Sequence, residues 1–343
     1  LYLSPTDALA EGAPEGDVPW SFLDSNIGFG VVDPDVDRLG ACVAQAYGET
    51  LALSLDPAEA SGWRKALGVY LARRVTGEFG CGDAVDRQQA EPYRSWIPTV
   101  ERPGERAPLD GGGGALLFAL LSERHDGGTG RFIRDLWDLV RQRTWEQETL
   151  GLRASPDLWE GIDTVLEASG SKLDPYMDEL AVARFSLGDS ARERHAGYAA
   201  LHDLNTPVPL TFETDLAALP HHTGASPVLD VYGSAYAMVD VRGAPSDSRL
   251  RIWLRGEYGV EWQLSASRLD AEGRERGRLS APPRVGDRRA YLPIELDEDT
   301  AQVLVTVTNL GHRLPDADDP EMSARAFRLI FELVREGQEP VRD

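Results

Sequence analysis

Two hydrophobic periodicities divide this chain. Between Cys42 and Ala72 the apolar positions Val43, Tyr47, Leu51 and then Val69, Leu71 follow a helical repeat, interrupted by the acidic stretch Asp56 to Gly62. Helical spacing returns between Ala115 and Leu187: Leu116, Ala119, Leu120; Phe132, Ile133, Leu136, Trp137, Val140; Leu158, Ile162, Val165, Leu166. Three or more further helices are expected, one opening at Asp157 after Ser155-Pro156 and another near Leu173 to Met177. Trp137, Trp145 and Trp159 read as a core stripe. Near Asn205 the pattern changes. Thr206 to Leu210 breaks the helical repeat, and strand-type alternation runs through Val228–Val241, Leu250–Arg255, Trp262–Leu269, Ala290–Ile294, Gln302–Asn309 and Arg325–Leu333. The expected fold class is α+β and multidomain: a mainly helical region over 1–205 followed by an antiparallel β-sandwich over 206–343.

The remaining segments are punctuation around these two blocks. Residues 1–37 are rich in Pro, Gly and Asp and read as extended and turn-forming, with a short strand over Ile27–Val32 beside the core helices. Asp33 to Asp37 reads as a helix-starting turn. Gly77 to Asp110 reads as mostly loop, with a helix near Pro92–Trp96 and an exposed tip at Arg102–Pro108. Gly111 to Gly114 could cradle a phosphate before a helix, but no preceding strand, Lys or Ser/Thr supports that, and a close helix approach is the better reading.

The stretch from Cys42 through Ala72 resembles the two-helix core of zinc metallopeptidases of the His-Glu-x-x-His class. Asp110 to Phe118, Leu120 to His125 and Phe132 to Trp137 are similar to a glycine-helix-Leu-x-Glu-Arg passage of secreted, myxobacterial-type metalloproteases. Members of that family carry a β-sandwich after the helical catalytic domain. The resemblance implies where the zinc machinery would stand, and in each place the chemistry is wrong. Gln45 replaces the first His, Ala46 the general base and Glu49 the second His, while Lys65 falls on the third ligand. A cation at a ligand position repels zinc, so these four positions are read as vestigial, with no catalytic residue, no metal ligand and no cofactor expected.

Composition narrows the class further. The chain has 343 residues, 42% of them hydrophobic, enough for a sizeable core. It carries a net charge of −22 and only two lysines, Lys65 and Lys172, which argues against nucleic acid as a partner. No apolar run approaches the roughly 20 residues that span a bilayer. A start at Leu1, with no Met and no charged-then-apolar leader, fits a processed or truncated amino terminus. Cys42 and Cys81 are either a disulfide pair, if the chain is exported, or two reduced, buried thiols. None of His125, His195, His202, His221, His222 or His312 has a metal-type partner at the i+4 position. Asp316 to Asp319 could attract calcium weakly. The expected function is that of a catalytically inactive metalloprotease-like protein, secreted, periplasmic or at the cell surface. It would bind other proteins in an extracellular or envelope assembly. The alternatives are an active secreted hydrolase using an unrecognised set such as Glu49 with distant acids, and a structural protein whose likeness to peptidases is accidental.

Overall fold

The computed structural model describes residues 2–3, 10–14, 28–34, 37–56, 59–96, 111–141, 144–146, 151–153, 156–186, 204–245, 247–281, 288–312, 314 and 324–335. Three short strands, β1 (Tyr2–Leu3), β2 (Ala10–Pro14) and β3 (Gly28–Val32), form a small sheet in the order β1-β3-β2 that packs on helix α1 (Leu39–Leu55). Helix α1 starts after Arg38 without a side-chain cap, so the acids of the preceding turn do not cap it. Helix α2 (Ser61–Thr76) stops at Gly77, whose φ of 84° lets its N–H reach the Arg73 carbonyl. Arg73 and Arg74 in the last turn complement the helix dipole.

The helix expected near Pro92–Trp96 is one step earlier, as α3 (Ala84–Ala90). Glu91 precedes a proline, which disfavours helical backbone, and it sits at φ −120°, ψ 61°. The freed segment does something else. Asp230 N–H donates to the Tyr93 carbonyl (2.9 Å), Ser234 N–H to that of Pro92 (2.7 Å), and Arg94 pairs with Asp230 at 3.3 Å. Gly111 to Gly114 is a close-approach device: a Cβ on Gly111 would lie 2.3 Å from the Cα of Gly62, and one on Gly113 would lie 2.5 Å from the Cβ of Gln88. Helices α4 (Ala115–Asp126), α5 (Arg131–Val140), α6 (Leu158–Ala168) and α7 (Leu173–Ala183) follow. Asp157 caps α6 in a reciprocal capping box with Glu160. Trp137 and Trp159 are core residues; the Trp145 backbone belongs to a two-stranded ribbon, β4 (Thr144–Glu146) with β5 (Gly151–Arg153), and its side chain lies outside what the structure describes.

The second half is a sandwich of two mainly antiparallel sheets. One has the order β11-β10-β13-β8-β6 and the other β12-β9-β14-β7. Their strands are β6 (Phe212–Asp215), β7 (His221–His222), β8 (Ser234–Asp240), β9 (Ser248–Gly256), β10 (Glu261–Leu269), β11 (Glu275–Ala281), β12 (Arg289–Glu295), β13 (Gln302–Gly311) and β14 (Phe327–Arg335). Leu250, Ile252, Leu254 and Phe331 from one sheet meet Val239, Leu264, Val303 and Val305 from the other in the core. The strand expected over 228–241 begins only at Ser234. Tyr232 there adopts a positive φ of 60°, and a Cβ on Gly233 would clash with the Tyr93 carbonyl at 2.2 Å.

The helical half covers the outer face of the five-stranded sheet. Tyr236 donates to the Ala181 carbonyl, and Ser265 of β10 donates to Asp178 of α7 at 2.7 Å. Tyr232 and Leu310 belong to the same apolar cluster as Trp63, Phe118 and Trp159. Beside them the wholly buried Arg184 lies over the Trp96 ring, donates to Gln89 at 2.7 Å and donates to the Gln88 carbonyl. The layers therefore run helices, five-stranded sheet, four-stranded sheet, solvent.

Candidate functional site

The two helices at the centre of the candidate site cross backbone to backbone. A Cβ on Gly48 would lie 2.8 Å from the Cα of Gly68, and one on Gly68 would lie 2.7 Å from both the Gln45 carbonyl and the Glu49 Cγ. Mid-helix glycine is unfavourable by about 1 kcal/mol relative to alanine, and here it permits an approach that no side chain would. The crossing brings Gln45 and Glu49 together over Gly68. Lys65 stands one turn back on α2, half-buried.

Gln45 is used at both ends. Its Nε2 donates to Glu49 Oε1 at 2.9 Å, and its Oε1 accepts the Cys81 N–H at 2.8 Å. Cys81 is disulfide-bonded to Cys42, with the two Cα atoms 4.4 Å apart. Arg38 Nη2 donates to the carbonyls of Cys81 and Gly82, both at 3.1 Å, and ties down the same loop. Ala46, wholly buried, packs with Val32, Cys42 and Cys81. The face that carries Gln45, Ala46 and Glu49 is thus closed by a disulfide-anchored loop, and Glu49 is buried.

A second constellation escapes sequence reasoning. The acidic break between α1 and α2 folds inward: Asp56, Glu59 and the α6 cap Asp157 are all buried. Glu59 accepts from Ala60 N–H (2.8 Å) and from Leu158 N–H (3.0 Å), which ties the interhelix loop to the start of α6. Burial first, and the neighbouring Asp157 second, push the Glu59 carboxyl up to about 8. Arg64 is the adjoining cation. Burial lowers its pKa, while Glu59, Glu49 and Asp56 pull it back up. In the sequence these residues look like an ordinary polar loop, and only the Ser155-Pro156-Asp157 helix start hints at order.

The histidines are not brought together. His125 stacks on Phe132 with ring centroids 4.7 Å apart, and burial lowers its pKa. His221 stacks on Phe331. His222 is the neighbouring residue of β7, and His312 lines a cavity of about 230 Å³ at the junction of the halves with Asp174, Tyr232 and Glu261. His195, His202 and Asp316 to Asp319 lie outside the described residues, as does the tip over Arg102–Pro108. Among the described residues no group of three or more His, Cys, Asp or Glu is arranged to hold a metal, and no helix is long and apolar enough to cross a membrane.

No protein-family model matches the chain, and no curated protein does. Among solved structures, the enzymatically active domain of tailspike protein 4 of bacteriophage CBA120 matches 32% of this chain and 15% of its own, with 11% identity and a TM-score of 0.24. CorA, a surface-associated copper-binding protein of Methylomicrobium album BG8, matches 31% of this chain and 84% of its own, with 6% identity and a TM-score of 0.23. The module TmCBM61, solved with β-1,4-galactotriose, matches 35% of this chain and 77% of its own, with 20% identity and a TM-score of 0.21. Likenesses this slight assign no function to the chain.

Proposed function

We propose that the protein is a catalytically inactive, metalloprotease-like binding component of an extracellular, periplasmic or cell-surface assembly, acting through contacts with other proteins. The observation that carries this reading is the double engagement of Gln45. The position where the zinc peptidases place their first His ligand holds an amide whose oxygen and nitrogen are both engaged, on the Cys81 N–H and on Glu49. A neutral amide oxygen already held by the Cys81 N–H is a poor substitute for an imidazole as a zinc ligand, and a buried alanine at position 46 takes no proton from water. Lys65 adds a cation where a third ligand would stand. The Cys42–Cys81 bond favours an oxidising compartment.

The test is metal content by mass spectrometry on protein purified without chelator, with zinc titration of the parent and of the Gln45→His, Glu49→His variant. The expected result is no zinc in the parent and partial zinc binding in the variant, because the two substitutions put imidazoles four residues apart on one helical face. Stoichiometric zinc in the parent overturns the proposal.

A further inference from the structure

The outward face of the four-stranded sheet differs in charge from the rest of the molecule. In β9 the inward residues Leu250, Ile252 and Leu254 alternate with outward Arg249, Arg251, Trp253 and Arg255. The register extends each outward position into a row across the sheet. Arg289, Arg255 and Arg328 are directly opposite one another, and Tyr291, Trp253 and Ile330 form the next row. Five arginines thus share this face with two glutamates, in a chain whose net charge is −22.

The charges are not evenly compensated. At one end Arg249 pairs with Glu295 (2.8 Å) and Arg251 with Glu332 (3.8 Å). At the other end the exposed Arg255 and Arg328 have no carboxylate partner among the described residues, and the nearby Arg288 lies over the Tyr258 ring. Like charges directly opposite on neighbouring strands, about 4.8 Å apart, oppose sheet formation. An arrangement that works against the fold points to something outside it. Next to the arginine row, the Trp253 and Tyr291 rings lie 5.3 Å apart at 37°, with Tyr291 44% exposed.

We infer that this face binds an anionic polysaccharide of the uronic-acid class, with the Trp253–Tyr291 pair stacking on sugar rings and Arg255 and Arg328 taking carboxylates. Size and charge density select this class. Strands of nine, nine, seven and two residues, at about 3.4 Å per residue and about 4.8 Å apart, give a face of about 440 Å², about half of what one side of a standard protein interface uses. A linear glycan fits such a strip. Nucleic acid carries a charge about every 3.4 Å per strand and is strongly repelled by so acidic a protein, whereas a uronate chain has at most one charge per sugar. The inference goes beyond the pseudopeptidase reading and does not depend on it, since the helical half lies on the opposite side of the sandwich.

The experiment is native gel electrophoresis of the full chain in gels containing polygalacturonate, with dextran as the neutral polymer and poly(dT) as the polyphosphate, followed by tryptophan-fluorescence titration. Polygalacturonate should retard the protein and dextran should not. Arg255→Ser with Arg328→Ser should weaken binding about tenfold or more, as expected for lost charge-assisted hydrogen bonds. Tyr291→Ala on the edge strand should weaken it too, and serves should Trp253→Ala disturb packing. The arginine variants should melt no lower than the parent. No retardation by polygalacturonate, undiminished binding by the arginine variants, equal retardation by dextran, or tighter binding to poly(dT) would each overturn the assignment.

Discussion

Glu59 should make this protein less stable as the pH rises toward mild alkali. Its carboxyl is raised from 4.5 to about 8 in the folded chain, so the folded state holds a proton that the unfolded state releases near 4.5. Stability from this group is fully present below the unfolded value and is lost as pH climbs through the folded one. The difference of about 3.5 units, at about 1.36 kcal/mol each, sets a ceiling of about 5 kcal/mol; relaxation around a buried ion brings the expected loss to roughly 2–4 kcal/mol. The groups facing Glu59 are Asp157 at the start of α6, Asp56 at the end of α1 and Arg64 on α2. The assay is urea denaturation at steps between about pH 5 and about pH 9, on the parent and on Glu59→Gln. The glutamine side chain of that variant has no proton to lose in this range, yet its amide nitrogen cannot accept one of the two backbone N–H groups that Glu59 serves, which costs about 1 kcal/mol. The two curves should therefore cross: the parent more stable near about pH 5, Glu59→Gln more stable near about pH 9. Asp174 and Asp178, raised by burial, and His125, lowered by it, also titrate, but they are common to both proteins and drop out of the difference. A Glu59→Gln curve that falls in parallel with the parent's would refute the reasoning.

Two further outcomes follow from the helix pair. Opening the Cys42–Cys81 bond, by reductant or by Ser at both positions, frees a loop spanning a sequence separation of 39, so stability should drop by about 4 kcal/mol; a loss below about 1 kcal/mol in denaturation with and without reductant would contradict this. Gly68→Ala adds a methyl 2.7 Å from the Gln45 carbonyl, so it should destabilise by about 1–3 kcal/mol despite alanine's better helix propensity. A thermal melt at or above the parent's would show that the helices can separate at no cost.

Much of the architecture is legible in the chain because its two periodicities do not overlap. Helical spacing at Leu116 to Val140 and at Leu158 to Leu166, and alternation at Leu250 to Arg255, each correspond to an element of the right type. Strand β11 is invisible in the pattern: its sequence Glu-Arg-Gly-Arg-Leu-Ser-Ala is an edge strand with little to bury, so it carries no hydrophobic signal. β6 and β7, short strands at the sheet edges, escape detection for the same reason. Helix α3 falls away from its expected place because its seven residues offer only Val85 as a buried apolar side chain. At the candidate site, the helical offset of four that joins Gln45 to Glu49 can be read directly. The partner at Cys81, 36 residues away, cannot, since a backbone N–H leaves no trace in composition. The buried carboxyl of Glu59 is a tertiary property in the same sense, created by α6 closing over the loop.

The stitching of Pro92 and Tyr93 to Asp230 and Ser234, with Tyr232 and Leu310 seated in the helical core, bears on how this sequence can change over time. A free-standing sandwich can be shuffled between proteins because both of its outer faces tolerate water. This one has given one outer face to its neighbour: Tyr236 and Ser265 there satisfy groups on α7, and Arg184 is held nearby against Trp96. Neither half is an interchangeable cassette. Substitutions along that seam must be matched on both sides, while the distal sheet face can diversify without asking anything of the helices.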